Sequence, residues 1–214
     1  MLKNKNNNKF KKRLIISLVA VCGVSVLMYV LTLIIPWAYS NIKNKETLPD
    51  ANFNFYDPDY NENIFEHSEY VALIANGVIR YDDGMAIEYV NLEEANDYEE
   101  QVSLIINMVI SIMNGDAGTY NSYFSEEYFK ENSQKEKFTM QKVYNGYLKE
   151  FSYTEVTENN ITYDRYVYEL KYNIYENNGT FRRDIGDGAR AQYIVVTNKD
   201  GRFLIDNIMY TVYK

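Results

Sequence analysis

The chain has almost no cysteine, histidine or proline, and each shortage removes a class of protein. Its one cysteine, Cys22, lies inside an apolar run, so nothing downstream can form an intrachain disulfide. The folded part must stand on a hydrophobic core, for which about 150 residues suffice. The single histidine, His67, excludes a His-based metal cluster or proton relay and reads as an exposed residue at a helix start. All three prolines, Pro36, Pro49 and Pro58, fall in one short stretch, and no glycine occurs between Gly23 and Gly77. Bases are scarce where acids are dense: residues 46 to 100 hold 15 acids and one base, Arg80. Past the apolar run there is no Ser-His-Asp set, no cysteine nucleophile and no phosphate-cradling glycine loop.

What is present begins with that run. Leu14 through Ile35 gives 22 residues without a charge. At about 1.5 Å of rise per residue such a helix spans about 33 Å, enough for a bilayer's hydrocarbon core. Lys3, Lys5, Lys9, Lys11, Lys12 and Arg13 precede it with no acid among them. The asymmetry predicts one membrane span, with the N-terminus in the cytoplasm and the C-terminal body extracytoplasmic. A cleaved signal peptide is the rival, and Ala38-Tyr39-Ser40 has suitable small residues. Signal peptides, however, carry apolar stretches of about 7–15 residues, so an uncleaved signal anchor is the reading adopted. Setting the six N-terminal bases aside leaves 16 of 22 against 30 acids, a formal charge of −14. A surface this negative repels nucleic acid and anionic headgroups, and its meaning is solubility or attraction to cations and basic partners.

The expected organisation is a basic cytoplasmic tail (1–13), a transmembrane helix (14–35), an extended acidic connector (36–66) and an extracytoplasmic α+β domain (67–214). Asn52-Phe53-Asn54-Phe55-Tyr56 is more apolar than a connector needs, and docking of those aromatics would shorten the tether. Within the domain, Val78–Tyr81 and Ala86–Val90 flank an Asp82-Asp83-Gly84 turn as a hairpin. Residues 97 to 114 form the strongest helix. Val102, Ile105, Ile106, Val109, Ile110 and Met113 recur at helical spacing before a Gly115 cap, so broadly that the helix reads as buried and central. Asp116–Phe124 and Ser125–Glu131 each open on a capping residue, as short helices do. Thr139 is expected to cap a further helix, with Met140, Val143, Tyr144, Tyr147 and Leu148 on one face.

After Glu150 the period becomes two. Tyr166, Tyr168, Leu170, Tyr172 and Ile174 alternate with polar neighbours in a long half-buried strand. Asn177-Asn178-Gly179 is a turn, and 182–190 reads as an irregular link or bulged strand. Tyr193–Thr197 and Phe203–Tyr213 are strands joined by a turn at Lys199–Arg202. The last strand is apolar on both faces, with Phe203, Ile205 and Met209 on one and Leu204, Ile208, Tyr210 and Val212 on the other. One face is left to line a cavity, meet another subunit or receive the connector.

Two segments resemble the nuclear-transport-factor-2-like superfamily. Asn114-Gly115-Asp116 followed by Tyr120-Asn121-Ser122-Tyr123-Phe124 is similar to its helix, Gly-Asp break and aromatic second helix. Asp200-Gly201-Arg202-Phe203-Leu204-Ile205-Asp206-Asn207-Ile208 is similar to its closing hairpin. The likeness covers roughly residues 97 to 213 and implies a curved antiparallel sheet wrapped round helices as a cone. Residues 76–90 would then be an added hairpin. A basic tail, one span and an exported cone also resemble the single-pass assembly subunits of type IV secretion and conjugation machines.

Chemical candidates are few. Asp57, Asp59, Asn61 and Asn63 alternate like ligands of a calcium loop, but Glu62 stands where the tight turn wants Gly, and Ser68 where the closing acid belongs. A solvated acidic connector is the preferred reading. Asp164 and Asp206 are the strand carboxylates nearest aromatics, and alternation assigns them to edge or solvent-facing positions. The 22 tyrosines read as strand formers rather than a sugar- or peptide-binding surface. No catalytic, cofactor-binding or metal residue is assigned. The expected function is a non-catalytic, membrane-anchored binding or assembly module of a bacterial cell envelope, with a protein partner or a second copy. A small-ligand-binding cone and a cell-surface enzyme are the alternatives.

Overall fold

A computed structural model describes residues 55–182, 190–199 and 201–210. All of them belong to the unit that starts at Asn52. The expected tail and transmembrane helix lie outside the described residues, as do most of the connector and of the link at 182–190. Among the described residues no helix is long and apolar enough to cross a membrane.

The architecture is mixed α+β, with a curved six-stranded sheet and four helices. A 3-10 turn at Ile64–Glu66 leads into α1 (Ser68–Leu73). The hairpin of β1 (Ile79–Asp82) and β2 (Ile87–Tyr89) follows. Next come α2 (Glu100–Met113), α3 (Ala117–Ser122) and α4 (Glu126–Glu131). Four strands close the chain: β3 (Lys142–Glu158), β4 (Ile161–Tyr175), β5 (Gln192–Thr197) and β6 (Leu204–Met209). The sheet order is β2-β1-β3-β4-β5-β6.

The central helix is α2. Val102, Ile105, Ile106, Val109, Ile112 and Met113 are at most 1% exposed. A 14-residue helix is marginal alone, so this packing is what holds it. It ends where Gly115 turns the backbone at φ +66°, and a Cβ there would lie 2.8 Å from the Met140 nitrogen. Asp116 then caps α3, accepting from the Thr119 amide at 2.9 Å, and Ser125 caps α4 through the Tyr128 amide at 3.3 Å. Tyr120 packs its ring 4.9 Å from Phe124, 5.9 Å from Phe138 and 5.4 Å from Phe181.

The helix expected after Thr139 does not form; β3 occupies its place. Two bulges explain the misleading spacing. Register shifts fall between Tyr144 and Tyr147 and between Glu150 and Ser152, and Asn145 sits at φ +51° in the first. The extra residue puts Val143, Gly146 and Leu148 inward together, a three-then-two rhythm that imitates a helical stripe. Bulges also bend the strand and so curve the sheet. The sheet is mixed rather than wholly antiparallel, because β1 lies parallel to β3 from Ile79–Gly146 to Asp82–Lys149. Gly146 permits this approach: its amide donates to the Val78 carbonyl at 2.7 Å, and any Cβ would meet that same oxygen at 2.7 Å.

In β4 the predicted alternation holds, with Tyr168, Leu170, Tyr172 and Ile174 buried on the helix side. Asn159 and Asn160, at φ +51° and +63°, make the two-residue turn joining β3 to β4. In β6 the two-face division changes at Asp206. Val195 pairs with Asn207 but Val196 with Ile205, leaving Asp206 bulged out. Ile205 and Ile208 therefore both join the core, opposite Val196 and Ile194.

The described part of the expected connector lies on the domain. Ile64 is fully buried, the Tyr56 amide donates to the Asn177 carbonyl at 3.2 Å, and the Phe55 ring abuts Gly179. Lys137 Nζ stands 3.8 Å over the Tyr60 ring, a cation–π contact that ties this segment down.

Candidate functional site

Two places on the domain have features that packing alone does not require. The first is the far end of the β3–β4 hairpin. β1 covers β3 only as far as Lys149, and β5 covers β4 only from Arg165 onward. From Glu155–Asp164 to Glu158–Ile161 no third strand among the described residues flanks the hairpin. Among the described residues no strand neighbours the β3 edge from Glu150 outward. Phe151 and Tyr153 of β3 and Ile161 of β4 are about half exposed near this end, at 45%, 50% and 49%, the Phe151 ring 5.3 Å from Tyr193 and the Tyr153 ring 4.9 Å from Tyr166 across the sheet. An open edge is a template for another strand, and exposed side chains on the adjoining face can add contact. The outermost strand on that same side of the sheet is β2, all three of whose residues are exposed. The β6 edge is covered instead: Ser125 donates to the Ile205 carbonyl at 3.0 Å and Ile205 to the Tyr123 carbonyl at 2.9 Å.

The second place is a cavity of about 150 Å³ between the helices and the concave side of the sheet. Met108 and Ile112 of α2, Phe181 and Ile208 of β6 give it apolar walls. Tyr120, Tyr128, Tyr172 and Tyr210 bring phenol groups, and Lys135, Arg182, Gln192 and Asn132 complete the lining. Among the described residues no aspartate or glutamate lines it. Burial pushes the Tyr120 hydroxyl well above the usual phenol range and raises that of Tyr172, so both stay protonated donors. Arg182 donates to the Tyr172 carbonyl at 3.2 Å and stands 4.6 Å over the Tyr172 ring. Lys135 Nζ lies 5.4 Å from the Phe181 ring centre, and burial lowers its pKa.

The residues singled out from sequence lie elsewhere. Asp59 accepts from the Asn61 amide at 2.8 Å and Asn63 from the Phe65 amide at 3.2 Å, so both serve local turns. Among the described residues no three His, Cys, Asp or Glu side chains gather as a metal site. His67 is the residue before α1, half-exposed, with Nε2 3.2 Å from Glu62. That Glu62 also binds the buried Lys142, which reaches Glu176 as well. Burial works against the Lys142 charge, but its hydrogen bonds to the two glutamates outweigh it and raise the pKa. Asp164 accepts from the Tyr153 hydroxyl at 2.8 Å and from Asn198 at 3.0 Å. Asp206 accepts from the Thr197 hydroxyl at 2.8 Å. Both acids thus tie strand ends together, and neither lines the cavity.

No family model, curated protein or solved structure matches the chain.

The cavity's cations escaped sequence reading because no motif marks them. Lys135 lies in the stretch between α4 and β3, and Arg182 follows Phe181 after the Asn177–Gly179 turn. The one available signal was a base beside an aromatic in a chain otherwise rich in acids.

Proposed function

We propose that this protein is a non-catalytic binding and assembly module, held by one N-terminal span with its α+β domain on the extracytoplasmic side. The domain is read as a nuclear-transport-factor-2-like cone, an added β1–β2 hairpin widening its sheet. The observation that carries the assembly reading is the β3 edge from Glu150 to Glu158, which no described strand pairs, with half-exposed Phe151 and Tyr153 on the adjoining face. Its occupant is a strand of an envelope protein with a basic surface, since Glu150, Glu155 and Glu158 border the edge. A subunit of a conjugation or secretion machine has this layout. Catalysis has no support from Asp164 and Asp206, whose oxygens are engaged within the sheet.

Two measurements in intact cells test the reading. A membrane-impermeant maleimide should label a Thr154→Cys variant without lysis, and labelling only after lysis would reverse the topology. A photo-crosslinking residue at Phe151 should give one discrete heavier adduct, absent when the same group stands at Glu131. Replacing Glu150, Glu155 and Glu158 together by Lys should abolish that adduct. An unchanged adduct in the triple variant, or none at all from Phe151, refutes a basic partner on this edge.

A further inference from the structure

Asparagine is followed by glycine at Asn76, Asn114, Asn145 and Asn178. In such a pair the glycine nitrogen can add to the preceding side-chain amide, because no Cβ shields it. The fold treats the four pairs differently. The Gly77, Gly115 and Gly146 amides donate to the backbone carbonyls of Ile74, Ile112 and Val78. Those N–H groups are tied to ordered backbone at two helix ends and beside β1. The Gly179 amide donates instead to a side chain, Asn177 Oδ1, at 2.8 Å.

The Asn178 amide is held by groups that suit the reaction. Its Oδ1 accepts from the Thr180 amide at 3.1 Å and from the Thr180 hydroxyl at 2.8 Å. A backbone N–H can only donate, which fixes this atom of Asn178 as the oxygen. The Thr180 hydroxyl is itself polarised, its oxygen accepting from the Thr139 amide at 3.2 Å and from Gln141 Nε2 at 3.1 Å. Thr139 and Gln141 are 2% and 1% exposed, so this chain of hydrogen bonds is held away from water. Asn178 Nδ2 donates to the Thr139 hydroxyl oxygen at 2.7 Å. Two donors thus meet the oxygen on which negative charge grows when a nitrogen adds to Cγ, as they do in an oxyanion hole.

We propose that Asn178–Gly179 is a self-modifying site, at which the Gly179 nitrogen attacks the Asn178 side-chain amide and converts Asn178 to aspartate and isoaspartate. Hydroxide removes the Gly179 N–H proton, and the nitrogen forms a bond to Asn178 Cγ. The Cγ–Nδ2 bond then breaks, and Nδ2 leaves as ammonia with a proton from water, which regenerates the hydroxide. A second water opens the cyclic imide at either carbonyl, giving aspartate or isoaspartate. A carboxylate replaces the amide that donated to Thr139, in the recess that Glu62, Lys142 and Glu176 also line. The same turn docks the start of the domain, through the Tyr56 amide on the Asn177 carbonyl and the Phe55 ring on Gly179. Conversion therefore loosens residues 55 and 56. The chemistry needs neither a partner nor a membrane, so it is independent of the assembly reading.

The full chain in detergent, kept for days in mildly alkaline buffer, is followed by peptide mass mapping, with isoaspartate scored by fragmentation. Asn178 should convert first, with Asn76, Asn114 and Asn145 lagging, and in urea the four rates should converge. Thr180→Val removes the hydroxyl donor and should slow Asn178 by about tenfold, the effect of losing one hydrogen bond to a developing anion. Thr180→Ser keeps the donor and should retain most of the rate. Thermal unfolding of both variants alongside the parent checks that the fold is intact. Amide exchange at Tyr56 should rise with the fraction converted. The site is overturned if Asn178 is not the fastest of the four in the folded chain, if its lead persists in urea, or if a folded Thr180→Val converts at the parental rate. Unchanged exchange at Tyr56 after conversion overturns the loosening.

Discussion

Replacing Gly146 by alanine isolates the contact that attaches the β1–β2 hairpin to the rest of the sheet. Gly146 has an ordinary φ, so the penalty comes from contact alone. Its new Cβ would stand 2.7 Å from the Val78 carbonyl oxygen, 2.9 Å from Ile79 Cγ1 and 3.1 Å from Ile79 Cα. Two of these three atoms are backbone, in the strand that pairs with Gly146, so relief requires β1 to move away. Overpacking of this kind costs about 2 kcal/mol, and alanine returns about 0.5 kcal/mol by restricting the unfolded chain. The net loss is about 1.5 kcal/mol, which lowers Tm by about 3–6 °C for a domain of this size. Thermal unfolding of the full chain in detergent should read that shift, and amide exchange of residues 79–82 should rise with it. Gly84→Ala is the contrast. Nothing lies within 4 Å of a Cβ there, and φ is +88°, so any loss is conformational and exchange in β1 stays as it was. A Gly146→Ala chain with parental Tm and parental exchange in β1 would refute the account of the parallel pair.

Tyr70→Phe should destabilise the domain by about 1–2 kcal/mol in urea unfolding, because the buried Val143 carbonyl loses the hydroxyl that bonds it at 2.8 Å. Asp116→Ala removes the α3 cap and should cost about 1 kcal/mol, while Asp116→Asn should recover most of it. Acid should weaken the β1–β3 junction through Asp82. The Lys149 ammonium, the Tyr147 hydroxyl and the Gly84 amide hold its carboxyl down at about 2, against an ordinary 3.8. A depressed folded-state pKa means the contribution is complete above about pH 5 and disappears as pH falls towards about 2. Tm measured down that range should fall less steeply in Asp82→Asn than in the parent. Equal slopes would remove Asp82 from the acid response.

Much of the secondary structure was legible because it is local. The α2 stripe, the Asp116 and Ser125 caps, the Asp-Gly and Asn-Gly turns and the β4 alternation each follow from residues close in sequence. The errors cluster where one inserted residue breaks a period. The bulge at Asn145 made β3 look helical, and the one at Asp206 divided Ile205 from Ile208, which share the core. A bulge is stabilised by what the neighbouring strand offers, so its position is not written in the bulged strand alone. The cavity was invisible for a related reason. Lys135, Arg182 and Gln192 stand far apart along the chain, and nothing in their spacing marks the three as neighbours.

Composition, a 22-residue uncharged run and a one-sided cluster of bases are enough to predict an anchored chain with an acidic body, because partition into lipid depends on the segment itself. Three things awaited the folded domain: that the β1–β2 hairpin joins the sheet in parallel with β3, that no described strand covers β3 beyond Lys149, and that Lys135, Arg182 and four tyrosines gather round one cavity. Each depends on which distant segments become neighbours, and that is decided by packing the whole core at once.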